Sequence, residues 1–482
     1  MRWVLAVSLA ACVSSQMPVQ PDAAGGDAPG DAAPEGVLDW RGRSIYFVVT
    51  DRFANGDCTN DDAGGFVTDL ANPRAWHGGD FQGLIDRLDY IAGMGFTGIW
   101  ITPVIAQHHA HAYHGYWGYD WSRIDPHLGD AAKLRELVAK AHAKNIAVMI
   151  DTVANHTGRY NFTTPTFPDA AMYHHNGNIT DYNNPAQVEN NALSGLDDLA
   201  QENPAVRAKL LEHIDWLARE SRADGFRVDT VKHVPKPFWT EWRAAAKLFS
   251  MGEVLSGGVE QVAPYSHVLD ATLDYPLYYA MQSAFAKGGS MRQLGNVFAK
   301  DAQYADVQLG GTFLDNHDQP RFLCDATVAD KQARLRIALA FQFTARGLPI
   351  LYYGTEQGFG SCSDNRQDML SVADTNAPLY QWIAKLNRIR ASTEALRTGV
   401  QRERWQDDTA YAFEREVGTS AAVVAINSSN NVRILPLQNL HVPAGTVLTD
   451  ALGSGATFVV DAELNLAVRV PAHGVVILTN TP

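Results

Sequence analysis

The sequence predicts an α/β fold: a (β/α)8 TIM barrel with a small subdomain inserted after strand 3 and a C-terminal antiparallel β domain. Three observations carry this. Eight short apolar runs alternate with helical patterns from Ile45 onward, ionisable residues end several of those runs, and closely spaced strands take over after about residue 397. Strands that are apolar throughout and alternate with helices belong to a parallel sheet covered on both faces. When such a sheet closes, the polar residues at the strand ends collect at one face of the barrel.

The chain has 482 residues, 46% hydrophobic and 19% charged, which excludes collagen, coiled coil and wholesale disorder. Its net charge is −14 and no Lys/Arg run of five or more occurs, so nucleic acid has no electrostatic footprint to bind. Met1-Arg2 precedes the apolar run Trp3 to Ala11, which suits a signal-peptide core and falls short of the ~20 residues that span a bilayer. Residues 1–11 are therefore expected to be a signal peptide. Leu9-Ala10-Ala11-Cys12 resembles a bacterial lipoprotein box with Cys12 lipidated; ordinary signal cleavage is the alternative. Residues 12–38, rich in Ala, Asp, Gly and Pro, read as a flexible tether. An extracytoplasmic lipoprotein at the outer membrane or cell surface follows, touching membrane only through its anchor, with a soluble secreted protein as the alternative.

Candidate barrel strands are Ile45–Thr50, Phe96–Ile101, Ile146–Asp151, Gly225–Asp229, Met251–Glu253, Val268–Asp270, Thr312–Asn316 and Ile350–Tyr353. Helical patterns between them include Ala131–Ala143, Ala205–Ser221 and Lys331–Ala345. The connection from Thr157 to Leu199 is too long for a plain loop and reads as a subdomain. The barrel then occupies residues 39–156 and 200–396, with the insertion at 157–199. Residues 397–482 read as a β-sandwich, with strands at Ala421–Ile426, Ala456–Val460, Leu466–Val470 and Gly474–Leu478.

Four strand ends carry ionisable motifs: Asp151-Thr-Val-Ala-Asn155-His156, Gly225-Phe-Arg227-Val-Asp229-Thr-Val-Lys232-His233, Gly252-Glu253-Val-Leu and Phe313-Leu-Asp315-Asn-His317-Asp318. A single Asp at a strand end is commonly a helix cap. Four such motifs in order, at barrel spacing, exceed what capping needs. Two carboxylates flanking a cleft are what glycoside hydrolysis requires, one as nucleophile or base and one kept protonated for the leaving group.

The motifs DTVANH, GFRVDTVKH, GEVL and FLDNHD resemble the four signature regions of the α-amylase family of glycoside hydrolases, and LDDL (196–199) resembles a fifth. The resemblance runs over about residues 40–480. It implies retaining hydrolysis of α-1,4-glucans such as starch, glycogen or maltodextrins, with Asp229 as nucleophile, Glu253 as acid/base and Asp318 stabilising the transition state. Arg227, two residues before Asp229 on the same strand face, is placed to hold the nucleophile ionised. The resemblance further implies sugar contacts from His156 and His317, a stacking segment around Tyr116 with His114 and Trp117, and substrate contacts from Lys232, His233 and Arg366.

Calcium is the implied metal, held by Asn155, Asp198 and the His233 carbonyl, with Glu189 adding a carbonyl. A second oxygen cluster, Asn55, Asp57, Asn60, Asp61, Gly78 and Asp80, resembles a further calcium site of cyclodextrin glucanotransferases; an ordinary Asn/Asp turn is the alternative. Zinc is disfavoured, since no Cys/His spacing suits it. Two departures separate the chain from those transferases. Ser194 stands where they carry a central aromatic, and Cys362 replaces an Asp four residues before Arg366. Cys324 and Cys362 follow strands 7 and 8 in adjacent loops, so a disulfide between them is expected, which leaves Cys58 over. The readings kept beside hydrolysis are a transglycosylase of the cyclodextrin glucanotransferase type, a non-catalytic glucan-binding lipoprotein and a trehalose- or sucrose-directed relative. A monomer is expected.

Overall fold

A computed structural model describes residues 38–480; the expected signal peptide, Cys12 and all of the tether except Leu38 lie outside the described residues. Eight parallel strands form one sheet: β1 (Ile45–Val48), β2 (Gly98–Ile101), β3 (Ala147–Thr152), β4 (Gly225–Val228), β5 (Phe249–Gly252), β6 (Ala271–Thr272), β7 (Gly311–Thr312) and β8 (Leu348–Tyr352). Their order is β6-β5-β4-β3-β2-β1-β8-β7. A parallel bridge between Leu273 and Gly311 links the end of β6 to β7 and draws the two edges together into a nearly closed barrel. Register follows the sequence order: Gly98 pairs with Ile45 on one side and Ala147 on the other, and Ile45 pairs with Ile350.

Every residue of these strands is buried, as continuous apolar runs require. Helices cover the outside and begin where the sequence supplies side-chain caps. Asp130 caps Ala131–His142, Asn203 caps Pro204–Ser221 with proline in the first turn, and Asp330 caps Lys331–Thr344.

Two expected strands move. Val268–Asp270 is not strand, because the Val268 and Leu269 amides both donate to the Tyr265 carbonyl in a turn, and pairing begins at Ala271. The run Thr312–Asn316 contributes only its first residue, to β7, since the Leu314 carbonyl accepts from the Gln282 side-chain amide instead of extending the ladder. A hairpin, Ile105–Gln107 with Gly118–Ile124, projects beyond β2. The long connection after β3 contains the short helix Pro185–Asn190, is tied to the barrel by the bridge of His156 with Asp198, and is closed on itself by that of Tyr173 with Leu199.

Beyond residue 399 the strands are antiparallel: β9 (Val400–Gln406), β10 (Ala410–Val417), β11 (Ser420–Asn427), β12 (Arg433–Leu437), β13 (Val447–Asp450), β14 (Thr457–Val459), β15 (Leu466–Val470) and β16 (Gly474–Thr479). Six form a sheet ordered β9-β10-β11-β16-β13-β14, and β12 pairs with β15. The central strands are buried on both faces. Tyr411, Phe413, Val424 and Ile426 join the barrel core, while Ala410, Ala412, Val423 and Ala425 pack with Leu435, Leu437, Val468 and Val470.

Candidate active site

The strand ends bring the acids together through the backbone ladder itself. Asp229 follows β4, and its amide donates to the Thr152 carbonyl at the end of β3 (2.9 Å); Glu253 follows β5, and its amide donates to the Val228 carbonyl (2.8 Å). Both side chains are therefore fixed at the C-terminal face. They line a cleft of about 600 Å³ with His114, Tyr116, Trp117, His156, Lys232, His233, His317, Asp318 and Arg366. Every expected cleft residue except Arg227 is on its surface.

Arg227 lies immediately behind it, fully buried. Its Nη1 donates to Asp229 Oδ1 (2.8 Å) and to both oxygens of Asp151 (3.0 and 3.1 Å), and its Nη2 lies 2.9 Å from Glu253 Oε2. One guanidinium thus holds three carboxyls, and Asp229 and Glu253, on its two terminal nitrogens, are close neighbours. Below them Trp100 stacks on Phe47 (3.7 Å between ring centres) and donates its Nε1 to Asp151 Oδ2 at 3.1 Å.

Three buried carboxyls around one cation, with Asp318 nearby, cannot all ionise freely. Burial pushes Asp151 up to about 6 against the pull of Arg227. Burial, assisted by the charges of Glu253, Asp151 and Asp318, raises Asp229 well above the usual carboxylate range. Burial acts in the same direction on Glu253, but Arg227, the Thr230 amide and His317 together outweigh it and hold that carboxyl below its ordinary value. The two titrate as a pair that retains a proton.

The histidines are kept neutral. Burial lowers His156 to about 4 and His114 and His317 well below their usual range. His156 Nε2 and His317 Nδ1 have no hydrogen-bond partner among the described residues. Neutral rings with a free nitrogen, in a cleft wall, suit uncharged hydroxyl ligands. Tyr116 stacks on His317 (5.2 Å, 11° between planes) and donates its hydroxyl to Asp151 at 2.6 Å. Arg366 bridges the far side, with Nη2 3.1 Å from Asp318 Oδ1 and Nε donating to the His317 carbonyl at 3.0 Å.

The structure adds residues that sequence reasoning had not chosen. Asp151 is the third carboxyl on Arg227, and its cross-strand pairing with Arg227 is the signal that spacing alone did not expose. The Tyr275 hydroxyl donates to Glu253 Oε1 at 3.0 Å, and the Thr230 amide donates to Glu253 Oε2 at 3.2 Å. Tyr182 and Leu255 also line the cleft and are 56% and 41% exposed. Ser194 also lines it, in a left-handed conformation (φ 54°).

The expected metal ligands fall into two places. Asn155 is fully buried and its Oδ1 has no partner; Asp198, beside it across the His156 bridge, is pushed up to about 6 by burial and has Oδ2 2.7 Å from His174 Nδ1. The His233 ring accepts no share of this, its Nδ1 bonding the Val188 carbonyl at 3.0 Å. Glu189 has no hydrogen bond to Asn155, Asp198 or His233 among the described residues. In the second place Asn55 Oδ1 and Asn60 Oδ1 are buried without partners, and Asn55 Nδ2 donates to Asp61 Oδ1 at 2.7 Å. Gly78 closes this cradle at φ 89°: a Cβ there would sit 2.6 Å from both Asn55 Nδ2 and Asp61 Oδ1. Asp57 is engaged by Thr59, and Asp80 accepts from the amides of Gly56, Asp57 and Gly83, so Asp80 serves as a cap as well.

Cys324 and Cys362 form a disulfide with Cα atoms 5.2 Å apart. Cys58 is not left over: it too is disulfide-bonded.

With this geometry in hand, the chain can be set beside known proteins. Residues 47–378 match the family described as the alpha amylase catalytic domain. A beta/alpha-amylase of Paenibacillus polymyxa is 48% identical over 432 residues, covering 86% of this chain and 36% of that protein. The chain thus spans about a third of that relative's length. The crystal structure of an Anoxybacillus alpha-amylase superposes with a TM-score of 0.84 at 36% identity, covering 92% of this chain and 99% of that one. A cyclomaltodextrin glucanotransferase with a three-domain ABC distribution superposes with a TM-score of 0.83 at 30% identity, covering 91% and 99%.

Proposed function

The chain belongs to the alpha-amylase family, and from that membership we propose that it is a retaining endo-hydrolase of α-1,4-glucans. The observation that carries the reading is the single buried guanidinium that holds Asp229 and Glu253 as neighbours at the floor of the cleft. Neighbouring carboxyls (about 5–5.5 Å apart) are the retaining arrangement, whereas inverting enzymes separate them by about 6.5–9.5 Å to admit a water.

In this reading Asp229 attacks the anomeric carbon while Glu253 protonates the departing glycosidic oxygen. The glycosyl-enzyme ester then breaks as Glu253 takes a proton from the attacking water. The crowded acids retain the proton the first step needs, and their shared titration lets it reside on Glu253 by redistribution between neighbours. Asp318 faces the charge that develops on the sugar ring. The neutral histidines and Tyr116 hold its hydroxyls and face, and Tyr182 and Leu255 offer apolar surface to the outgoing side. We take residues 39–156 and 200–396 as the catalytic domain, 157–199 as the inserted subdomain and 397–482 as the C-terminal β domain.

Ser194 favours hydrolysis over cyclisation, since a small exposed residue gives a curling glucan nothing to wrap around. Early products from maltodextrin are expected to be linear α-anomers by NMR. β-anomers would refute retention, and cyclic glucans as the main product would refute hydrolysis. Ser194→Tyr should raise the share of transfer products; its left-handed backbone makes a melting curve a necessary companion measurement.

Calcium fits both oxygen clusters, as a hard cation that binds amide, carbonyl and carboxylate oxygens. Asn155 Oδ1, Asp198 and the His233 carbonyl would hold one ion between barrel and insertion, and the Asn55, Asn60, Asp61 and Gly78 cradle a second; the bound ion supplies cross-links. Binding at a hundredfold excess over Kd adds about 2.7 kcal/mol. Chelation should therefore lower Tm and speed proteolysis within 157–199, both reversed by calcium. An unchanged Tm, with metal analysis finding no calcium before treatment, would refute it.

Finally, we propose that Cys12 carries a lipid anchor; with Cys324 and Cys362 paired, a thioether at Cys12 leaves no second cysteine in the chain for Cys58, so the anchored form and the Cys58 disulfide are alternatives. Multiple acyl chains, at about 0.8 kcal/mol per buried CH₂, hold a protein firmly to a bilayer, and a tether of about 26 residues reaches roughly 30 Å. Activity should fractionate with membranes for the native chain and with the soluble fraction for Cys12→Ala. Soluble activity in both cases would refute the anchor.

A further inference from the structure

Trp40-Arg41-Gly42-Arg43 leads into β1, while Arg390 and Arg397 lie on the consecutive helices Pro378–Ser392 and Glu394–Thr398. The fold brings these four arginines to one cavity of about 470 Å³. Ser44 and Thr97, also in its wall, immediately precede β1 and β2. The cavity therefore lies at the N-terminal face of the barrel, the opposite end from the carboxylate cleft.

Its charges are unbalanced. Arg41 pairs with Asp39 (3.2 Å) and Asp306 (2.7 Å), but among the described residues Arg43, Arg390 and Arg397 have no carboxylate within ion-pair distance. Arg390 is 2% exposed. Its terminal nitrogens donate to the carbonyls of Phe343, Leu396 and Gly347 at 3.2, 2.6 and 2.8 Å, which satisfy hydrogen bonds without supplying a full counter-charge. Its Nε has no partner, nor does that of Arg397, and Arg415, itself fully buried, adds a further positive charge nearby. Asp39 and Glu394 also line the cavity; both are exposed, Asp39 is taken by Arg41, and Glu394 forms no ion pair among the described residues. A buried cation without its counter-ion is strongly unfavourable, and guanidinium forks match tetrahedral oxyanions in geometry.

We propose that this cavity binds a phosphate group, gripped by Arg43 and Arg397 and neutralising Arg390. The site lies outside the glucan cleft and owes nothing to it. Its volume exceeds that of a bare phosphate, so the group bound is either free phosphate or a phosphate carried on a larger molecule, of which an anionic phospholipid headgroup is the membrane-borne form.

Thermal melts of the full chain with inorganic phosphate, against chloride at equal ionic strength, test the first source. Co-sedimentation of the Cys12→Ala chain with phosphatidylglycerol vesicles, against phosphatidylcholine vesicles, tests the second. Arg397→Gln and Arg43→Gln report on the site, because both residues are partly exposed and neither is buried like Arg390. A phosphate-specific rise in Tm, weakened tenfold or more in Arg397→Gln, is expected, with starch hydrolysis unchanged. Arg397-dependent binding to phosphatidylglycerol alone supports the headgroup source. No response to either ligand, or variants that respond as the native chain does, overturns the proposal.

Discussion

Asp229→Asn is expected to abolish glucan hydrolysis, by a factor on the order of 10⁴ or more in kcat/KM, while making the protein more stable at neutral pH. The loss of activity follows from chemistry: an amide of the same shape keeps its place beside Arg227 but cannot form the glycosyl ester. The gain in stability follows from the crowding. Burial and three neighbouring carboxyls raise Asp229 well above its unfolded value. An acid so raised holds its proton more tightly folded than unfolded, so stability falls as pH rises past the unfolded value near 4. Removing that group relieves the penalty at pH 7 and changes little at pH 4. Melting curves at both values, with starch hydrolysis at the working pH, check the pair of effects. Activity within tenfold of native, or a variant that melts lower at pH 7 than the native chain, would contradict the role given to this residue. The combination is the stability–activity conflict expected where a site is built from repelling charges.

Much of this arrangement is legible in the sequence because it is written in short-range patterns. The apolar runs that become β1, β2, β5 and β8 are unbroken by charge, β3 and β4 carry it only near their C-terminal ends at Asp151 and Arg227, and Asp229 and Glu253 follow directly after β4 and β5, so period and position agree. β9 and β10 were missed for the opposite reason. Their residues VQRERWQ and AYAFEREV carry charges that argue against a strand, yet Glu414 is fully buried and paired with Arg404, and Arg415 is buried against the carbonyls of Gly399 and Thr344. Two-sided burial of β10 and β11, against the barrel and against β12 and β15, also erased the alternation that marks a half-exposed strand. Within the cleft, Asp229, Glu253 and Asp318 announce themselves by motif. Asp151 and Tyr275 do not, because their importance lies in contacts made between elements: Asp151 reaches Arg227 from the neighbouring strand, and Tyr275 reaches Glu253 from the start of the helix Tyr275–Met281 after β6. Local sequence records which residues end a strand; it does not record that one guanidinium serves three of them.

That shared guanidinium makes Arg227→Leu the most disruptive single change expected. Arg227 is fully buried and is the cation in contact with Asp151, Asp229 and Glu253. Breaking a buried pair by removing one partner costs about 3–5 kcal/mol, because the remaining charges are left uncompensated. Here the cost has a pH signature. Even beside Arg227, burial keeps Asp151 at about 6, so the native chain already loses stability between about pH 4 and 6 on this account. Without the guanidinium all three carboxyls move upward, and the loss extends through neutral pH. Since the folded variant binds more protons than its unfolded chain, its stability falls with rising pH throughout that range. The deficit against the native chain should therefore be smaller near pH 4, where Asp151 and Asp229 hold their protons in either protein, and largest at pH 7. Hydrolysis should be lost as well, because Asp229 and Glu253 no longer share a fixed support. Arg227→Lys separates charge from geometry: a single ammonium restores part of the stability at pH 7 but cannot span both acids as two nitrogens do, so activity stays low. Denaturant melts of both variants from pH 4 to 7 decide the matter. A deficit that is constant across pH would mean that Arg227 acts by filling space, and the electrostatic account of the cleft would fail.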